Sequence, residues 1–338
     1  MICSVIVTAY NQEATISQTL DSILEQKCNF PFEIIIGDDC SMDGTQTICL
    51  DYKKKYPEII RLLFQEQNVG VAINFVLSVK EAKGKYIAIC AADDFWHNKS
   101  KLQMQVDFME KNAAFGLLYT DYNKLNAING KIIKNFLKTS HLPIYEGAGL
   151  VKYFFNGQVP ALTLTIIFHK DLFDKYVPSN DYIKYKFPIE DWPTWLILSK
   201  YTKIGYLSES TATYRFGHES MSIPTSYTKT IERFNREKTM YKYLCNMFPE
   251  EISFDENEYD QYVNSILLSL SYKKGDYKNA HKYGKQMIYN GSKNLKVDSS
   301  KYILSFYLLW LSLKIKSGLT NYKSKIGLSI ILGLITIF

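Results

Sequence analysis

The chain of 338 residues has six cysteines, and no two of them have the Cys-x-x-Cys spacing of a metal or redox site. This absence argues against a zinc site and a disulfide framework, and it favours reduced thiols in a cytosolic protein. The first residues enter an apolar strand without a positively charged n-region. A secretory signal is therefore not expected.

Two phosphate-binding loops are also missing. No Gly-x-Gly-x-x-Gly follows the first apolar strand, so a dinucleotide cofactor is disfavoured. No Gly-x-x-x-x-Gly-Lys-Ser/Thr occurs, which excludes P-loop phosphoryl transfer. A sugar nucleotidyltransferase would need a glycine-rich loop with Arg and Lys after the first strand, and residues 8–11 do not supply one.

No apolar run reaches the ~20 residues that a helix needs to cross a bilayer. The two longest, residues 302–313 and 326–338, flank a spacer with four lysines and no acid. Short apolar segments next to lysines are typical of a helix lying in an anionic membrane interface. The alternative is a C-terminal helix that packs on the protein itself.

The charge is uneven along the chain. Residues 1–224 carry a balance of −1, whereas residues 225–338 carry +7. We therefore predict two regions, 1–224 and 225–338, of which the second faces an anionic membrane surface or is a solvated helical face. Nucleic acid is not expected as a partner, because no motif for reading bases accompanies the lysines.

Strand-like and helix-like patterns alternate over the first 120 residues. Such alternation predicts βαβ units and an α/β fold with a mostly parallel sheet. Residues 122–160 are irregular, with a turn at 126–130, and a helical pattern recurs around 192–200. The predicted strands are 2–9, 32–37, 61–64, 86–91, 115–120 and 162–169.

From about residue 225 the pattern becomes helical. Residues 259–274 and 276–289 read as two helices broken at Gly275. The pair resembles one tetratricopeptide hairpin, but a single unit is below the roughly three repeats that such arrays need. We interpret it as a helical hairpin only.

Three acid pairs follow apolar segments: Asp38-Asp39, Asp93-Asp94 and Glu190-Asp191. Ligands of α/β proteins gather beyond the carboxyl ends of parallel strands. Mg²⁺ and Mn²⁺ prefer carboxylate oxygens, and Mg²⁺ is commonly shared with substrate phosphates. The first two pairs therefore suggest a pocket for a divalent cation and a ligand with phosphates or hydroxyls.

The loop after the first strand suits a nucleobase. Tyr10 offers an aromatic face, and Thr8 and Asn11 offer hydrogen-bonding groups. After the second strand, Asp39 supplies a carboxylate that could accept a hydrogen bond from a base N–H. A turn with a helix cap would explain Ser41 and Asp43 well, but it would not explain Asp39.

Three segments together resemble the family 2 glycosyltransferases of bacterial polysaccharide biosynthesis. They are residues 4–11 (SVIVTAYN), 36–45 (IGDDCSMDGT) and 87–96 (IAICAADDFW), the last followed by 101–106 (KLQMQV). The resemblance covers about residues 1–220. It implies the GT-A (nucleotide-diphospho-sugar transferase) fold with flanking helices, and transfer with inversion at the anomeric carbon. The helical pattern after residue 225 adds a helical C-terminal region to this fold.

The resemblance also implies roles for the donor-side residues. Thr8, Tyr10 and Asp39 would hold the nucleobase, and Asn68 would lie near the diphosphate. Asp93, beside Asp94, would contact a divalent metal, Mn²⁺ or Mg²⁺. The family often has another acid where this chain has Ala91.

On the acceptor side, residues 188–196 (PIEDWPTWL) resemble a segment whose aspartate is the general base. Asp191 would take the proton of the acceptor hydroxyl, and Glu190 would shape the acceptor site. A helix N-terminus would also favour both acids. Arg215 and His218 are candidates for contact with the diphosphate.

These residues predict a hexosyl- or N-acetylhexosaminyltransferase. It would move a sugar from a nucleotide-diphospho-sugar to a hydroxyl of a glycan or lipid-linked saccharide. We expect the donor to be a UDP-sugar. We expect it in the cytoplasm, peripheral on the cytoplasmic face of the membrane. The alternative is a non-catalytic, membrane-associated protein that binds nucleotide-sugars; retention of all three acids (Asp39, Asp93 and Asp191) argues against it.

Overall fold

The structure is a computed structural model that describes residues 1–217 and 226–291. Within this part the chain forms two compact units. The first contains residues 1–217 and 239–253, and the second contains residues 226–238 and 254–291. The prediction of two domains that divide at residue 224 stays a prediction.

The first unit is built on one sheet. Its core strands are rich in β-branched residues, which suit buried, pleated positions. In the described residues the strands are β1 (Cys3–Ala9), β2 (Phe32–Asp38), β3 (Ile60–Phe64), β4 (Tyr86–Ile89), β5 (Phe95–Trp96), β6 (Phe115–Asn126), β7 (Ile132–Ile133), β8 (Ile167–His169) and β9 (Lys203–Phe216).

Helices connect and cover these strands. The first of them shows the expected period, since Ile16, Leu20 and Ile23 are all buried on one face. The helices described are α1 (Ile16–Leu24), α2 (Thr45–Lys55), α3 (Val71–Glu81), α4 (Lys101–Lys111), α5 (Phe136–Thr139), α6 (Val151–Phe155), α7 (Lys170–Tyr176), α8 (Ser179–Tyr185), α9 (Asp191–Tyr201), α10 (Tyr227–Met247), α11 (Glu256–Lys273) and α12 (Tyr277–Gly291).

The strand order is β3-β2-β1-β4-β8-β6-β9-β5, with β7 beside β6. The first four strands of this order are parallel. Strand β8 is antiparallel to both of its neighbours, whereas β6 and β9 are parallel to each other. The predicted α/β fold with flanking helices is confirmed, and antiparallel pairings complete the far half of the sheet.

Both faces of the sheet are buried, which explains the continuous apolar runs. In β1, Ile6 faces a core formed with α3 and α9, whereas Val5 and Val7 face a core formed with α1 and α4. The close packing of α3 requires a glycine in β2. A Cβ at Gly37 would lie 2.3 Å from Ser78 Oγ, so any side chain there would displace the helix.

The second unit is a small helical assembly. The N-terminal part of α10 packs with α11 and α12 around Leu268, Ala280 and Tyr283. Helix α11 begins with a cap, because the Asp255 carboxylate accepts hydrogen bonds from two backbone N–H groups. The two helices that the sequence predicts here are present, and Gly275 between them has a φ of 69°.

Several strands differ from the predictions. Strand β6 continues to Asn126, into the segment that was predicted to be irregular, and the short strand β5 was not predicted. The strand expected at 162–169 is shorter, because Thr163–Thr165 forms a 3-10 turn before β8 begins at Ile167. Strand β9 was not predicted at all. In the described part of the chain, no helix is long and apolar enough to cross a membrane. The apolar segments after residue 291 lie outside the described residues.

Candidate active site

The carboxyl ends of β1, β2 and β4 meet at one edge of the sheet. Strand pairing puts Thr8 beside Gly37, and the Thr8 carbonyl oxygen accepts from the Ala92 amide at 3.0 Å. The Asp39 amide in turn donates to the Ala9 carbonyl oxygen at 2.9 Å. The first two acid pairs therefore come to the same edge, as the sequence predicted for a parallel sheet.

In the first pair, Asp38 has a structural task. It is buried, and its carboxylate accepts hydrogen bonds from the Ser41 amide at 2.9 Å, the Ser41 hydroxyl and the Gln46 side chain at 2.6 Å. These bonds fix the turn that leads to α2. The hydrogen bonds of Asp38 thus stabilise the fold, whereas Asp39 is the member of the pair that contacts the next loop.

Asp39 holds the loop at residues 68–70. Its two carboxylate oxygens accept from the Val69 and Gly70 amides at 2.7 and 2.9 Å, and Asn68 Nδ2 donates to its carbonyl oxygen at 3.3 Å. Gly70 has a φ of 94°, which an L side chain would strain. The structure therefore brings Asp39 and Asn68 together. We call Asp39, Asn68, Val69 and Gly70 the loop cluster.

Asn11 and Tyr10 flank the loop cluster. Asn11 has a φ of 53°, and its side-chain oxygen accepts from the Met42 amide at 2.8 Å. The backbone N–H of Asn11 donates to Ser41 Oγ at 2.9 Å. Asn11 thereby ties the first loop to the second. Tyr10 is half-buried next to it, which leaves part of its side chain exposed at the sheet edge.

The second acid pair divides in the same way. Asp94 is buried, its carboxylate accepts from the Arg215 amide at 2.7 Å, and its carbonyl oxygen accepts from the Thr19 hydroxyl at 2.6 Å. Burial, followed by the charge of Asp93, raises the pKa of Asp94 well above its usual value. Asp93 is half-exposed.

Arg215, at the end of β9, clamps this pair from a distant part of the chain. Its Nε donates to the Asp93 carbonyl oxygen at 2.7 Å, and its Nη2 donates to Gln18 at 2.7 Å. The guanidinium also lies over the Phe95 ring, 5.7 Å from the centroid. The arginine that the sequence singled out is therefore beside Asp93. His218 lies outside the described residues.

The carboxylates at this edge of the sheet fit a metal ion that is shared with a substrate. Among the described residues, no group of three or more His, Cys, Asp or Glu side chains could hold an ion by itself. Mg²⁺ is commonly bound by one or two carboxylates and substrate phosphates. Asp93, which is half-buried at this edge of the sheet, could supply one such carboxylate.

The third pair lies at the N-terminus of α9. Asp191 is the first residue of the helix, and its Oδ2 accepts from the Thr163 hydroxyl at 2.9 Å. Its Oδ1 accepts from the Trp192 amide at 2.6 Å. Glu190 is buried, and burial, followed by the charge of Asp191, raises its pKa to about 8. At neutral pH its burial therefore favours the protonated form of Glu190. Asp191 is half-buried.

Tyr214 lies near both the second and the third acid pair. Burial is the largest cause that raises the pKa of its hydroxyl, and the charges of Asp94 and Asp93 raise it further. Asp191 acts on the same hydroxyl in the same direction. We call Asp93, Asp94, Asp191 and Tyr214 the acid cluster.

Sequence reasoning did not select Tyr214. The available signal was its position directly before Arg215, a residue that the sequence had singled out. That signal needed the strand itself, and β9 was not predicted. Its placement depends on pairing with β6, where Tyr214 lies opposite Lys124.

A mixed α/β sheet with acidic residues at its strand ends is typical of the GT-A fold. Comparison with known proteins gives the family. The sequence profile of Glycosyl transferase family 2 matches residues 4–170, and the chain belongs to this family of glycosyltransferases.

Two curated relatives cover most of the first unit. TuaG of Bacillus subtilis, a glycosyltransferase named for teichuronic acid biosynthesis, is 32% identical over 224 residues, which are 65% of this chain and 81% of TuaG. WfgD of Escherichia coli, named a UDP-Glc:α-D-GlcNAc-diphosphoundecaprenol β-1,3-glucosyltransferase, is 26% identical over 69% of this chain and 83% of WfgD. The matching segment spans only about a third of three uncharacterized mycobacterial relatives, at 38% identity over 109 residues.

Solved structures agree on the fold. Staphylococcus aureus TarS, solved as residues 1–349 in complex with UDP-GlcNAc, has a TM-score of 0.54 at 19% identity, over 85% of this chain and 82% of that chain. A Pyrobaculum calidifontis mannosyltransferase, solved with GDP-Man and Mn²⁺, has a TM-score of 0.50 at 13% identity, over 91% and 80% of the two chains. At this identity the likeness concerns the fold alone.

Proposed function

We propose that the protein is an inverting hexosyl- or N-acetylhexosaminyltransferase that uses a UDP-sugar and acts on a hydroxyl of a glycan or lipid-linked saccharide. The observation that carries the proposal is the acid cluster. Asp93 and Asp191 are 98 positions apart in the sequence, yet both act on the Tyr214 hydroxyl. The acid proposed to hold the metal and the acid proposed as base therefore lie near the same phenol, which supports a displacement at one site.

Asp191 is the general base in this proposal. Its bonds with Thr163 and with the Trp192 amide fix the carboxylate and leave it half-exposed. As the acceptor oxygen forms its bond to the anomeric carbon, the proton of the hydroxyl passes to Asp191. The bond between the anomeric carbon and the diphosphate oxygen breaks, and its electron pair leaves with UDP. Such a positioned base contributes roughly 10²–10⁴-fold to the rate.

Glu190 supports this chemistry by staying neutral. With a pKa of about 8, it adds no negative charge beside Asp191 at pH 7. Two adjacent ionised carboxylates in a buried position would repel each other. The pair therefore separates into a protonated member that shapes the acceptor site and a member available for catalysis.

The donor binds at the sheet edge. Tyr10, Thr8 and Asp39 hold the uracil, while Asn68 and Arg215 lie towards the diphosphate. The UDP-sugar complexes of TarS and the donor in the name of WfgD support the choice of uridine. A divalent cation held by Asp93, Mn²⁺ or Mg²⁺, would neutralise negative charge that develops on the departing diphosphate.

We also propose that the enzyme works at the cytoplasmic face of a membrane. The proposal rests on the sequence of residues 302–338, which lie outside the described residues, and on the lipid-linked acceptor in the name of WfgD. Full-length protein should float with vesicles that contain anionic lipid, and a variant truncated after residue 301 should not. Equal flotation of the two proteins would refute the membrane proposal without affecting the chemistry.

The proposed activity is tested with a panel of UDP-glucose, UDP-galactose, UDP-N-acetylglucosamine and GDP-mannose. At least one UDP-sugar should protect the protein against thermal unfolding in the presence of Mn²⁺, and the protein should hydrolyse it slowly. Protection by GDP-mannose alone would overturn the choice of uridine. Protection without hydrolysis or transfer would favour the non-catalytic binding protein.

A further inference from the structure

An open groove of about 270 Å³ lies beside the short helix α6, away from the sheet edge that we assign to the donor. The buried Ile252 side chain contributes to its lining. Exposed polar groups of α6 and of residues 249–253 surround it. The lining includes Lys152, Phe155, Asn156, Glu251, Ile252 and Ser253.

Aromatic rings connect this groove to the proposed base. The Phe155 ring lies 5.9 Å from the Trp192 ring, and Tyr241 contacts both, at centroid distances of 5.5 and 5.1 Å. The Trp192 indole N–H donates to the Phe154 carbonyl oxygen, which fixes the indole plane. Trp192 directly follows Asp191 at the start of α9, so these half-buried rings join the helix that carries the proposed base to α6 beside the groove.

The lining has the chemistry of a sugar site. A pyranose has an apolar C–H face and a rim of hydroxyls, so it is bound by an aromatic ring together with amide, hydroxyl and carboxylate groups. The groove offers Phe155, Asn156, Ser253 and Glu251 for these contacts. Its volume is somewhat below the ~300–1,000 Å³ of pockets for drug-sized ligands, so it suits one or two sugar rings.

The charges disfavour an anionic ligand. Glu250 and Glu251 both line the groove, against the single cation Lys152. Glu251 is also ion-paired with Lys200. Lys152 and Lys200 balance the two carboxylates, so the groove has no excess of positive charge that would attract a diphosphate. The groove therefore fits a neutral saccharide better than the diphosphate of a lipid-linked acceptor.

We propose that this groove binds the acceptor saccharide one or two sugar residues away from the reacting hydroxyl, so that the preferred acceptor is an oligosaccharide. The inference rests on the proposed function, since it takes Asp191 as the reaction point. The terminal sugar lies at Asp191, the chain crosses Trp192 and Phe155, and the following sugar enters the groove.

The test compares saccharide binding by the wild type and two variants. Phe155→Leu keeps apolar volume but removes the flat ring, and Asn156→Trp fills the groove from an exposed position. Tyr153→Leu is the matched control, because Tyr153 is an exposed aromatic residue of the same helix that does not line the groove. The probes are cellotetraose, laminaritetraose, maltotetraose and chitotetraose, with glucose and N-acetylglucosamine, measured by saturation-transfer NMR.

We expect at least one tetrasaccharide to bind the wild type and Tyr153→Leu more tightly than its monosaccharide does. Phe155→Leu and Asn156→Trp should each weaken that binding about tenfold, which corresponds to ~1.4 kcal/mol. Equal binding by all four proteins would overturn the inference, and so would absence of tetrasaccharide binding to the wild type. In either case, continued hydrolysis of a UDP-sugar would show that only the groove assignment has failed.

Discussion

The loop cluster and the acid cluster place their carboxylates in different surroundings. In the loop cluster, both oxygens of Asp39 accept backbone N–H groups of the loop at residues 68–70, so the carboxylate organises the structure around it. In the acid cluster, Asp93 and Asp191 stay half-exposed, and their charges raise the pKa of neighbouring groups. We infer that the hydrogen bonds of the loop cluster shape the donor-binding site, and that the negative charge of the acid cluster serves the reaction.

The comparison extends to the acid pairs themselves. Both members of the first pair are buried, whereas the second and third pairs each combine one buried acid, Asp94 or Glu190, with a half-buried one. Asp38 fixes a turn, Asp94 fixes β9 through the Arg215 amide, and Glu190 stays protonated at the start of α9. If this division holds, substitutions in the acid cluster should lower kcat, whereas substitutions in the loop cluster should raise the KM for the donor.

The largest effect is expected at Asp191. Asp191→Asn keeps the shape of the side chain but cannot take a proton, so kcat should fall roughly 10²–10⁴-fold while the KM for the donor changes little. Steady-state kinetics with the UDP-sugar found by thermal protection provide the measurement. Thr163→Val removes only the bond to Asp191 Oδ2 and should cause a smaller fall. A kcat within a few-fold of wild type for Asp191→Asn would remove this residue from the role of base.

The next effect concerns Asp93 and the metal. Chelator should abolish protection of the wild type by UDP, and Mn²⁺ or Mg²⁺ should restore it, because in our proposal Asp93 would hold a cation that neutralises the diphosphate. Asp93→Asn should lower kcat/KM about a hundredfold, or ~2.7 kcal/mol. Asp107→Asn, at an exposed position on α4, is the control. Protection that is indifferent to chelator would indicate a metal-free enzyme.

Glu190 gives a dependence of stability on pH. Its pKa is about 8 in the folded state, above the 4.5 of an ordinary Glu, so the folded protein binds the extra proton between these values. The free energy of unfolding should then fall as the pH rises from about 4.5 to about 8, by at most ~1.4 kcal/mol per pH unit. Urea unfolding over this range would measure the slope, and Glu190→Gln should flatten it. An unchanged slope in Glu190→Gln would mean that Glu190 is ionised in the folded protein.

Asp39→Asn should act on binding more than on turnover. Its amide can accept only one of the two backbone N–H groups of the loop, so the other N–H loses its partner at a cost of about 1–3 kcal/mol. We expect the KM for the donor to rise several-fold, with a smaller change in kcat. Asp51→Asn, on the exposed side of α2, is the matched control. A fall in kcat as large as that of Asp191→Asn would erase the distinction between the clusters.

The smallest effect is expected in the second unit. Lys238 donates to both carboxylate oxygens of Asp260, at 2.8 and 2.9 Å, in a partly exposed ion pair. Lys238→Ala should change the free energy of unfolding by less than about 1 kcal/mol and leave kcat unaffected. Thermal unfolding and the same kinetic assay measure both quantities. A marked loss of kcat would show that the second unit contributes to the chemistry.

The sequence predicted the parallel half of the sheet because its strands are buried on both faces and therefore read as continuous apolar runs. It did not predict β9, whose residues 208–213 are mostly polar and whose extended form depends on pairing with β6. The segment at 163–165 has the composition of a strand, yet the Thr165 hydroxyl donates to the Leu162 carbonyl oxygen at 2.7 Å in a tight turn.

The candidate site, like the fold, was predictable from the sequence only in part. The strand ends that carry Asp39 and Asp93 were predictable, because parallel strands share an edge. The link between Asp39 and the loop at residues 68–70 needed the three-dimensional structure, as did the division of labour within each acid pair. Tyr214 required the register of β9, which is a long-range property of the sheet.

The central claim is that Asp191 promotes a single displacement at the anomeric carbon. It is tested most directly by ¹H NMR of the sugar released or transferred from a UDP-α-sugar, recorded before the anomers equilibrate. The account predicts that the wild type gives the β-anomer and that Asp191→Asn gives almost no product. Formation of the α-anomer, or full activity of Asp191→Asn, would contradict it.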